Sequence, residues 1–194
     1  MSETKSIMIV GVGGQGTLLA SRILGSALLQ LGYDVKLSEV HGMSQRGGSV
    51  VTYVKYGDKV YSPVVDKGEA DFILSFERLE AARWISYLKT GGKLIVNDQC
   101  INPMPVIIGA AQYPENIIGK IDALGADMLA VDALALALKA GNAKSVNVVL
   151  IGILASMMDI PMDIWQKALE ETVKPKFLEM NKKAFQLGYE AKSK

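Results

Sequence analysis

Apolar residues in the first forty positions follow two different periods. A short apolar run over residues 5–10 predicts a buried strand that ends at Gly11. Apolar residues then recur at helical spacing over residues 17–31, and Gly32 stands where a helix commonly ends. Residues 33–40 are predicted to form a second strand. This order of strand, glycine-rich turn, helix and strand predicts the opening of a parallel α/β sheet.

Shorter elements fill the middle of the chain. Strands are predicted at residues 49–56, 59–62, 70–75, 93–97, 106–108 and 127–131. Helices are predicted at residues 77–89 and 113–121. Residues 102–105 are predicted to be extended, because a proline restricts the residue before it. The alternation of short strands with helices is typical of the α/β class.

The chain becomes helical after residue 131. Asp132 is predicted to cap a helix that ends at Gly141, and residues 161–173 and 175–189 are predicted to form the last two helices. Residues 145–158 are apolar nearly all round, so we expect them to be buried in the core or against a partner. We therefore expect one domain over residues 1–194. Its predicted fold is a Rossmann-like, mostly parallel sheet flanked by helices, with a helical C-terminal part.

Composition narrows the partners that the chain can have. The 194 residues are 49% hydrophobic and carry a formal net charge of +1, so no electrostatic signal for nucleic acid is present. The apolar stretch at residues 145–158 is shorter than the roughly 20 residues that span a bilayer. The N-terminal residues run directly into a strand pattern without a secretory signal. We expect a cytoplasmic protein that binds neither nucleic acid nor membranes.

Cys100 and His41 are the only cysteine and the only histidine in the sequence. An iron–sulfur cluster or a structural zinc ion usually needs four such ligands, so the chain is expected to build neither by itself. One thiol also excludes an internal disulfide, which fits a reducing compartment. We interpret Cys100 as a small core residue and His41 as structural rather than catalytic.

The glycines after the first strand match a dinucleotide-binding fingerprint. Such a loop lets the backbone approach a phosphate at a helix N-terminus, and Glu39 could bind a ribose at the end of the second strand. The alternative is that the glycines only pack the strand against the helix. Gln15 and the additional Gly14 are atypical of dinucleotide loops. The candidate cofactor-binding residues are Gly11, Gly13, Gly14, Gln15 and Gly16.

A second polar loop follows at residues 41–48. Arg46 could bind a carboxylate or phosphate in a bidentate manner, with Ser44 and Gln45 as hydrogen-bonding companions. The alternative is a solvated connection. We expect the two preceding strands to be parallel neighbours joined by one right-handed helical crossover, so that both loops emerge at the carboxyl edge of the sheet, where α/β proteins bind ligands. We therefore predict that the two loops form one surface.

The two loops together carry a family resemblance. Residues 9–16, followed by residues 39–48, resemble the gamma-type subunit of 2-oxoacid:ferredoxin oxidoreductases, and in particular the beta subunits of indolepyruvate:ferredoxin oxidoreductases. Residues 76–81 and 113–117 extend the resemblance over essentially the whole chain. The glycine loop alone is unspecific, whereas its pairing with Ser-Gln-Arg-Gly-Gly at this spacing is specific.

The resemblance implies a complex that decarboxylates 2-oxo acids oxidatively, with aryl pyruvates such as indolepyruvate expected, to give acyl-CoA and reduced ferredoxin. It implies thiamine diphosphate, Mg, iron–sulfur clusters and coenzyme A in the complex. The Gly-Asp-Gly thiamine motif is absent here, and Gly57-Asp58-Lys59 departs from it at the third position. We therefore expect this chain alone to bind no cofactor or metal, to contain no catalytic residue and to be inactive. A larger catalytic subunit would carry the thiamine and iron–sulfur sites, and ferredoxin would bind through the complex.

Two other functions remain open from the residues alone. The chain could be a stand-alone NAD-binding oxidoreductase, with the glycine loop under the pyrophosphate, or a non-catalytic nucleotide-binding regulator. The sequence has no obvious hydride-transfer acid and no Ser-Tyr-Lys arrangement. Binding of NAD or AMP to the purified chain would distinguish these alternatives from the subunit function.

Overall fold

A mixed sheet forms the centre of the protein in a computed structural model that describes residues 4–41 and 48–191. The strands within these residues are β1 (Lys5–Val12), β2 (Asp34–His41), β3 (Ser49–Gly57), β4 (Ala70–Ser75), β5 (Leu88–Asn97) and β6 (Asp127–Val131). Their order in the sheet is β2-β3-β1-β4-β5-β6. Strands β1, β4, β5 and β6 are parallel, and β3 is antiparallel to both β1 and β2. The expected α/β class with a mostly parallel sheet is confirmed.

Helices cover the two faces of the sheet unequally. They are α1 (Thr17–Gln30), α2 (Arg78–Trp84), α3 (Met104–Ile107), α4 (Ile117–Asp122), α5 (Ala133–Ala140), α6 (Val146–Ala155), α7 (Met162–Thr172) and α8 (Leu178–Glu190). Residues of α1, α5, α6, α7 and α8 share one large apolar core with the sheet, whereas α2 and α4 pack on the other face. The expected helical C-terminal part, α5 to α8, therefore lies with α1 on one face of the sheet and forms a larger layer than α2 and α4 form on the other. No helix in the described residues is long and apolar enough to cross a membrane.

Strand β1 lies at the middle of the sheet because it is apolar on both sides. Ile7 and Ile9 point into the larger core, and Met8 and Val10 point into the smaller one. All four side chains are fully buried. A continuous apolar run is what a strand with helices on both faces requires, so this part of the prediction is confirmed.

The predicted pairing of β1 with β2 is wrong. Strand β3 lies between them, and Gly11 and His41 both pair with Val50. The buried apolar residues of β3 need neighbours on both sides, whereas β2 is polar enough to stand at an exposed edge. Local periodicity identified both strands but carries no information about which strands pair.

Three other predicted elements also differ from the structure. Residues 59–62 form no strand, and residues 106–108 lie in or just after α3, which begins after the extended Pro103. The helix predicted at residues 77–89 ends at Trp84, and β5 begins at Leu88. Gly91 has a φ of 78°, and a Cβ at Gly92 would lie 2.8 Å from the carbonyl oxygen of Ala70. These two glycines, which follow closely on the predicted helix, let β5 continue through an irregular register with β4.

The apolar helix α6 is buried within the chain itself. A Cβ at Gly152 would lie 2.2 Å from the carbonyl oxygen of Phe185, and one at Gly188 would lie 2.0 Å from that of Val149. The two glycines therefore let α6 and α8 cross in close backbone contact. Of the two environments left open for residues 145–158, the structure selects the core. The buried residues of α8 are Asn181, Ala184, Phe185 and Gly188.

Candidate functional site

The glycine loop connects β1 to α1 through two residues in the left-handed region. Gly14 has a φ of 96° and Gly16 a φ of 83°. A Cβ at Gly16 would also lie 2.6 Å from the side-chain nitrogen of Asn147, and one at Gly11 would lie 3.0 Å from Cβ of Phe76. Gly11 and Gly16 therefore have a packing function whether or not a ligand binds. A Cβ at Gly14 would meet no atom within 4 Å, so the loop is open to approach at that position.

Gln15 fastens this loop to the rest of the sheet edge. Its side-chain oxygen accepts a hydrogen bond from the N–H of Val12 at 2.7 Å. Its side-chain nitrogen donates to the carbonyl of Phe76 at 2.9 Å and to the side-chain oxygen of Gln99 at 3.3 Å. The Gln15 amide thus links the ends of β1, β4 and β5. Sequence reasoning selected Gln15 as a ligand-binding residue but did not identify these contacts.

The second predicted loop can be placed only by its ends. Ser44, Gln45 and Arg46 lie outside the described residues, so their position remains a prediction. The N–H of Gly13 donates to the carbonyl oxygen of Gly48 at 2.9 Å. His41, at the other end of the loop, shares the sheet edge with Gly11 through their common partner Val50. The described ends of both loops therefore meet at one edge, although the strands that precede them are not neighbours.

Glu39 does not occupy the ribose-binding position of a dinucleotide fold. It pairs with Thr52 in β3, and the Thr52 hydroxyl donates to its carboxylate at 3.1 Å. Since β3 separates β2 from β1, Glu39 lies two strands away from the glycine loop, roughly 10 Å at the usual strand spacing. In a dinucleotide fold the corresponding carboxylate follows a strand that pairs with the first. The arrangement expected for NAD is not reproduced.

A cleft of about 580 Å³ opens beside the glycine loop. Gly14, Gln15 and Gly16 form one side, and Lys144 and Asn147 lie on the other. Asn147 donates from its side chain to the carbonyl of Gly16 at 3.2 Å, which ties the start of α6 to the start of α1. Lys144 is exposed and adds a positive charge near the N-terminus of α1. The cleft is suited to an anionic group.

A buried carboxylate, Glu77, organises the next part of the same edge. It is 1% exposed, and its side chain accepts hydrogen bonds from the N–H groups of Glu80 at 3.0 Å and Ile101 at 3.1 Å. The Tyr113 hydroxyl donates to the same carboxylate. Burial and this bond to Glu77 raise the pKa of Tyr113, which therefore remains a neutral donor. The contact brings together residues 76–81 and 113–117, the two later segments on which the family resemblance depends.

Glu80 forms a second polar contact beneath the loops. Its carboxylate accepts from the Ser49 hydroxyl at the start of β3 and from the Trp84 indole N–H at 3.4 Å, and it pairs with Arg83 at 3.2 Å. Burial raises the pKa of Glu80, and its hydrogen bonds and Arg83 oppose that rise. Glu80 thus anchors the residue that immediately follows the second loop.

Cys100 lies on the surface, which corrects its interpretation as a core residue. It borders a cleft of about 470 Å³ together with Tyr113, Arg78 and Asp98. Arg78 and Asp98 form an ion pair in which Nε and Oδ1 are 2.5 Å apart. The chain leaves the buried strand β5 at Asn97, and the following residues run along the outside of the sheet edge. The length of the apolar run did not indicate where burial stops.

Residues 6–191 match the sequence profile of the family described as pyruvate ferredoxin/flavodoxin oxidoreductase. The chain belongs to this family. Relatives within it include the indolepyruvate oxidoreductase subunits IorB of Thermococcus kodakarensis and Pyrococcus horikoshii, which are 46% and 47% identical to this chain over 191 residues. In both cases the aligned part is 96% of this chain and 95% of the relative.

Solved structures of the family agree with these sequence relationships. The keto/oxoacid ferredoxin oxidoreductase gamma subunit of Geobacter sulfurreducens superposes with a TM-score of 0.71 and 25% identity, and the match covers 96% of each chain. The expected recognition and fold are therefore confirmed, as is the function of a small subunit of a 2-oxoacid:ferredoxin oxidoreductase. Members of this family work within ferredoxin oxidoreductase complexes of several subunits.

Proposed function

We propose that this chain is the small subunit of a complex that oxidises aryl 2-oxo acids such as indolepyruvate to acyl-CoA, carbon dioxide and reduced ferredoxin. The observation that carries the substrate class is the similarity to indolepyruvate oxidoreductase subunits along nearly the whole length of both chains. The architecture supports the proposal, because the described parts of the segments that carry the resemblance contact one another at one edge of the sheet.

Most of the groups that this reaction needs do not fit the sequence of this chain. A single cysteine does not fit an iron–sulfur cluster, and the chain has no Gly-Asp-Gly motif for thiamine diphosphate and its Mg. We infer that the larger partner carries these groups and that ferredoxin receives its electrons there. This chain would then contribute by binding and orienting the anionic part of a cofactor beside the partner's reaction site.

The cleft beside the glycine loop fits the anionic part of a cofactor. The N–H groups of Val12, Gly13 and Gln15 already have partners within the chain. Gly14, Gly16 and the first turn of α1 are therefore the backbone donors that we assign to an anion, with Lys144 as the adjacent cation. Coenzyme A, which accepts the acyl group, offers such phosphates. In this arrangement Gly11, Gly13 and Gln15 shape the loop. Ser44, Gln45 and Arg46 stay the side chains that the sequence assigns to the same anionic group.

Reconstitution tests this proposal. The chain is produced alone and together with the larger subunit from the same source, and reduction of ferredoxin is followed with indolepyruvate and coenzyme A. We expect activity only when both chains are present, and a higher kcat/KM for indolepyruvate than for pyruvate. The chain alone should show no iron–sulfur absorbance. Full activity of the larger subunit without this chain, or a preference for pyruvate, would contradict the proposal.

A further inference from the structure

A cavity of about 450 Å³ lies at the amino edge of the sheet, opposite the glycine loop. It is bordered by Lys5 at the start of β1, by Tyr56 near the end of the antiparallel β3 and by Phe72 near the start of β4. The eight residues of β1 place it about 25 Å from the glycine loop at the usual rise per residue. The cavity is thus separate from the edge of the sheet that carries the glycine loop and the proposed cofactor cleft, which we call the cofactor edge. Its volume is in the range of small-molecule sites, roughly 300–1,000 Å³.

Aromatic and thioether groups form much of the cavity wall. The rings of Tyr33 and Tyr56 meet edge to face, with centroids 5.3 Å apart and an interplanar angle of 65°. Phe72, Met157 and Met158 complete this part of the wall. Aromatic rings and thioethers both make favourable contacts with a planar ring. The wall therefore favours an aromatic ligand.

Polar side chains also border the cavity. No residue that the structure describes forms a hydrogen bond or ion pair with the Lys5 ammonium, the Asp159 carboxylate or the two tyrosine hydroxyls. Tyr56 as a whole is only 7% exposed. Its hydroxyl oxygen is nevertheless not fully buried, so the hydroxyl is accessible from the cavity. Burial, Asp71 and Tyr33 raise the pKa of Tyr56 to about 12, so its hydroxyl is neutral and able to donate.

The charges at the cavity are of both signs. Lys5 supplies a cation, and Asp159 supplies an anion. Two helices also end there: α1 ends one residue before Leu31, and α6 ends shortly before Met157, and both of these residues border the cavity. Helix C-termini carry partial negative charge and stabilise an ammonium group. A ligand with one carboxylate and one ammonium matches this arrangement better than a simple acid or amine.

We propose that this cavity binds a free aromatic α-amino acid. Its ring lies against Tyr33, Tyr56 and Phe72. Its carboxylate binds Lys5, and its ammonium binds on the side of Asp159 and the helix ends. Because the cavity is remote from the cofactor edge, the amino acid acts as an effector rather than a substrate. Only this effector role rests on the proposed function. A transaminase would convert the same amino acid into an aryl 2-oxo acid, which is the proposed substrate of the complex, so the amino acid would report the supply of that substrate.

Calorimetric titration of the full chain tests the binding itself, independently of any activity. The ligands are L-tryptophan and L-phenylalanine. Three compounds serve for comparison: phenethylamine lacks the carboxylate, 3-phenylpropionate lacks the ammonium, and L-alanine lacks the aromatic ring. We expect saturable binding of the two aromatic amino acids and at least about tenfold weaker binding of the other three compounds. Absence of saturable binding, or equal affinity for phenethylamine or phenylpropionate, overturns the proposal.

Substitutions locate the binding in the cavity. Lys5→Gln and Asp159→Asn should each raise the Kd for L-phenylalanine by about tenfold, which corresponds to one charge-assisted contact. Lys139→Gln and Asp122→Asn, on exposed positions away from the cavity, are the matched controls and should leave the Kd unchanged. An unchanged Kd in both cavity variants overturns the proposal. Tyr33→Leu should also weaken binding; if it unfolds on thermal melting, the two charge variants decide the outcome.

Discussion

The N–H of Gly13 donates to the carbonyl oxygen of Gly48 at 2.9 Å and joins the two loops that carry the family resemblance. This bond exists because β3 starts beside the end of β1, with Ser49 paired to Val12. The second loop therefore returns directly to the glycine loop before the chain continues into β3. The proximity of the loops results from an antiparallel return rather than from two adjacent parallel strands.

The Gln15 side chain should contribute measurably to stability. Gln15→Ala removes an acceptor from the Val12 N–H and a donor from the Phe76 carbonyl, and both backbone groups belong to the ends of strands. We expect the free energy of unfolding to fall by about 1–3 kcal/mol. Denaturant unfolding followed by circular dichroism measures the change. The control Gln112→Ala, on the exposed surface, should change it by less than about 0.5 kcal/mol. Equal effects of the two substitutions would show that the Gln15 contacts add nothing.

Two glycines in helices should respond in opposite directions to the same substitution. Gly152→Ala places a Cβ 2.2 Å from the Phe185 carbonyl oxygen, so α6 and α8 must separate. We expect a loss of about 1–3 kcal/mol or more. Gly25→Ala in α1 meets no atom within 4 Å and should stabilise the protein by about 0.5–1 kcal/mol, because alanine favours a helix. Thermal melting of both variants tests the α6–α8 crossing, and a stabilised Gly152→Ala protein would be incompatible with it.

The limits of sequence reasoning follow from what a local pattern contains. Strand β6 and the Asp132 cap of α5 were predicted with the correct residues, because a period of two and a cap depend on neighbours in sequence. The pairing of β2 with β3 and the network around Glu77 depend on contacts between distant segments. At the candidate site, the sequence identified the glycine loop but not Glu77, whose only signal was its place in a segment that resembled the family.

Glu80 should make stability depend on pH in an unusual direction. Burial raises its pKa above the ordinary value of 4.5, so the folded state holds its proton at a pH where the unfolded state has released it. The contribution of Glu80 to stability is therefore greatest in acid and is lost as pH rises from about 4.5 through the raised pKa. In Glu80→Gln this dependence should be absent. Unfolding free energies of both proteins across that pH interval measure it, and Glu115→Gln on the exposed surface controls for the lost charge. Parallel pH profiles of the wild type and Glu80→Gln would contradict the prediction.

Arg46 is the residue by which the second loop can be tested in the reconstituted complex. If its guanidinium binds a phosphate of coenzyme A or the carboxylate of the 2-oxo acid at the loop edge, Arg46→Ala removes one charge-assisted contact. We expect this to cost about 1.5–3 kcal/mol in binding, seen as a higher KM for one of the two ligands. Lys144→Ala should raise the KM for coenzyme A alone, because Lys144 lies in the cleft beside Gly14 and Gly16. Arg22→Ala, on the exposed face of α1, is the matched control and should behave as the wild type. Should Arg46→Ala leave both KM values, the turnover and subunit assembly unchanged, the loop would be only a connection between β2 and β3. The anion would then be held by the start of α1 and Lys144 without it.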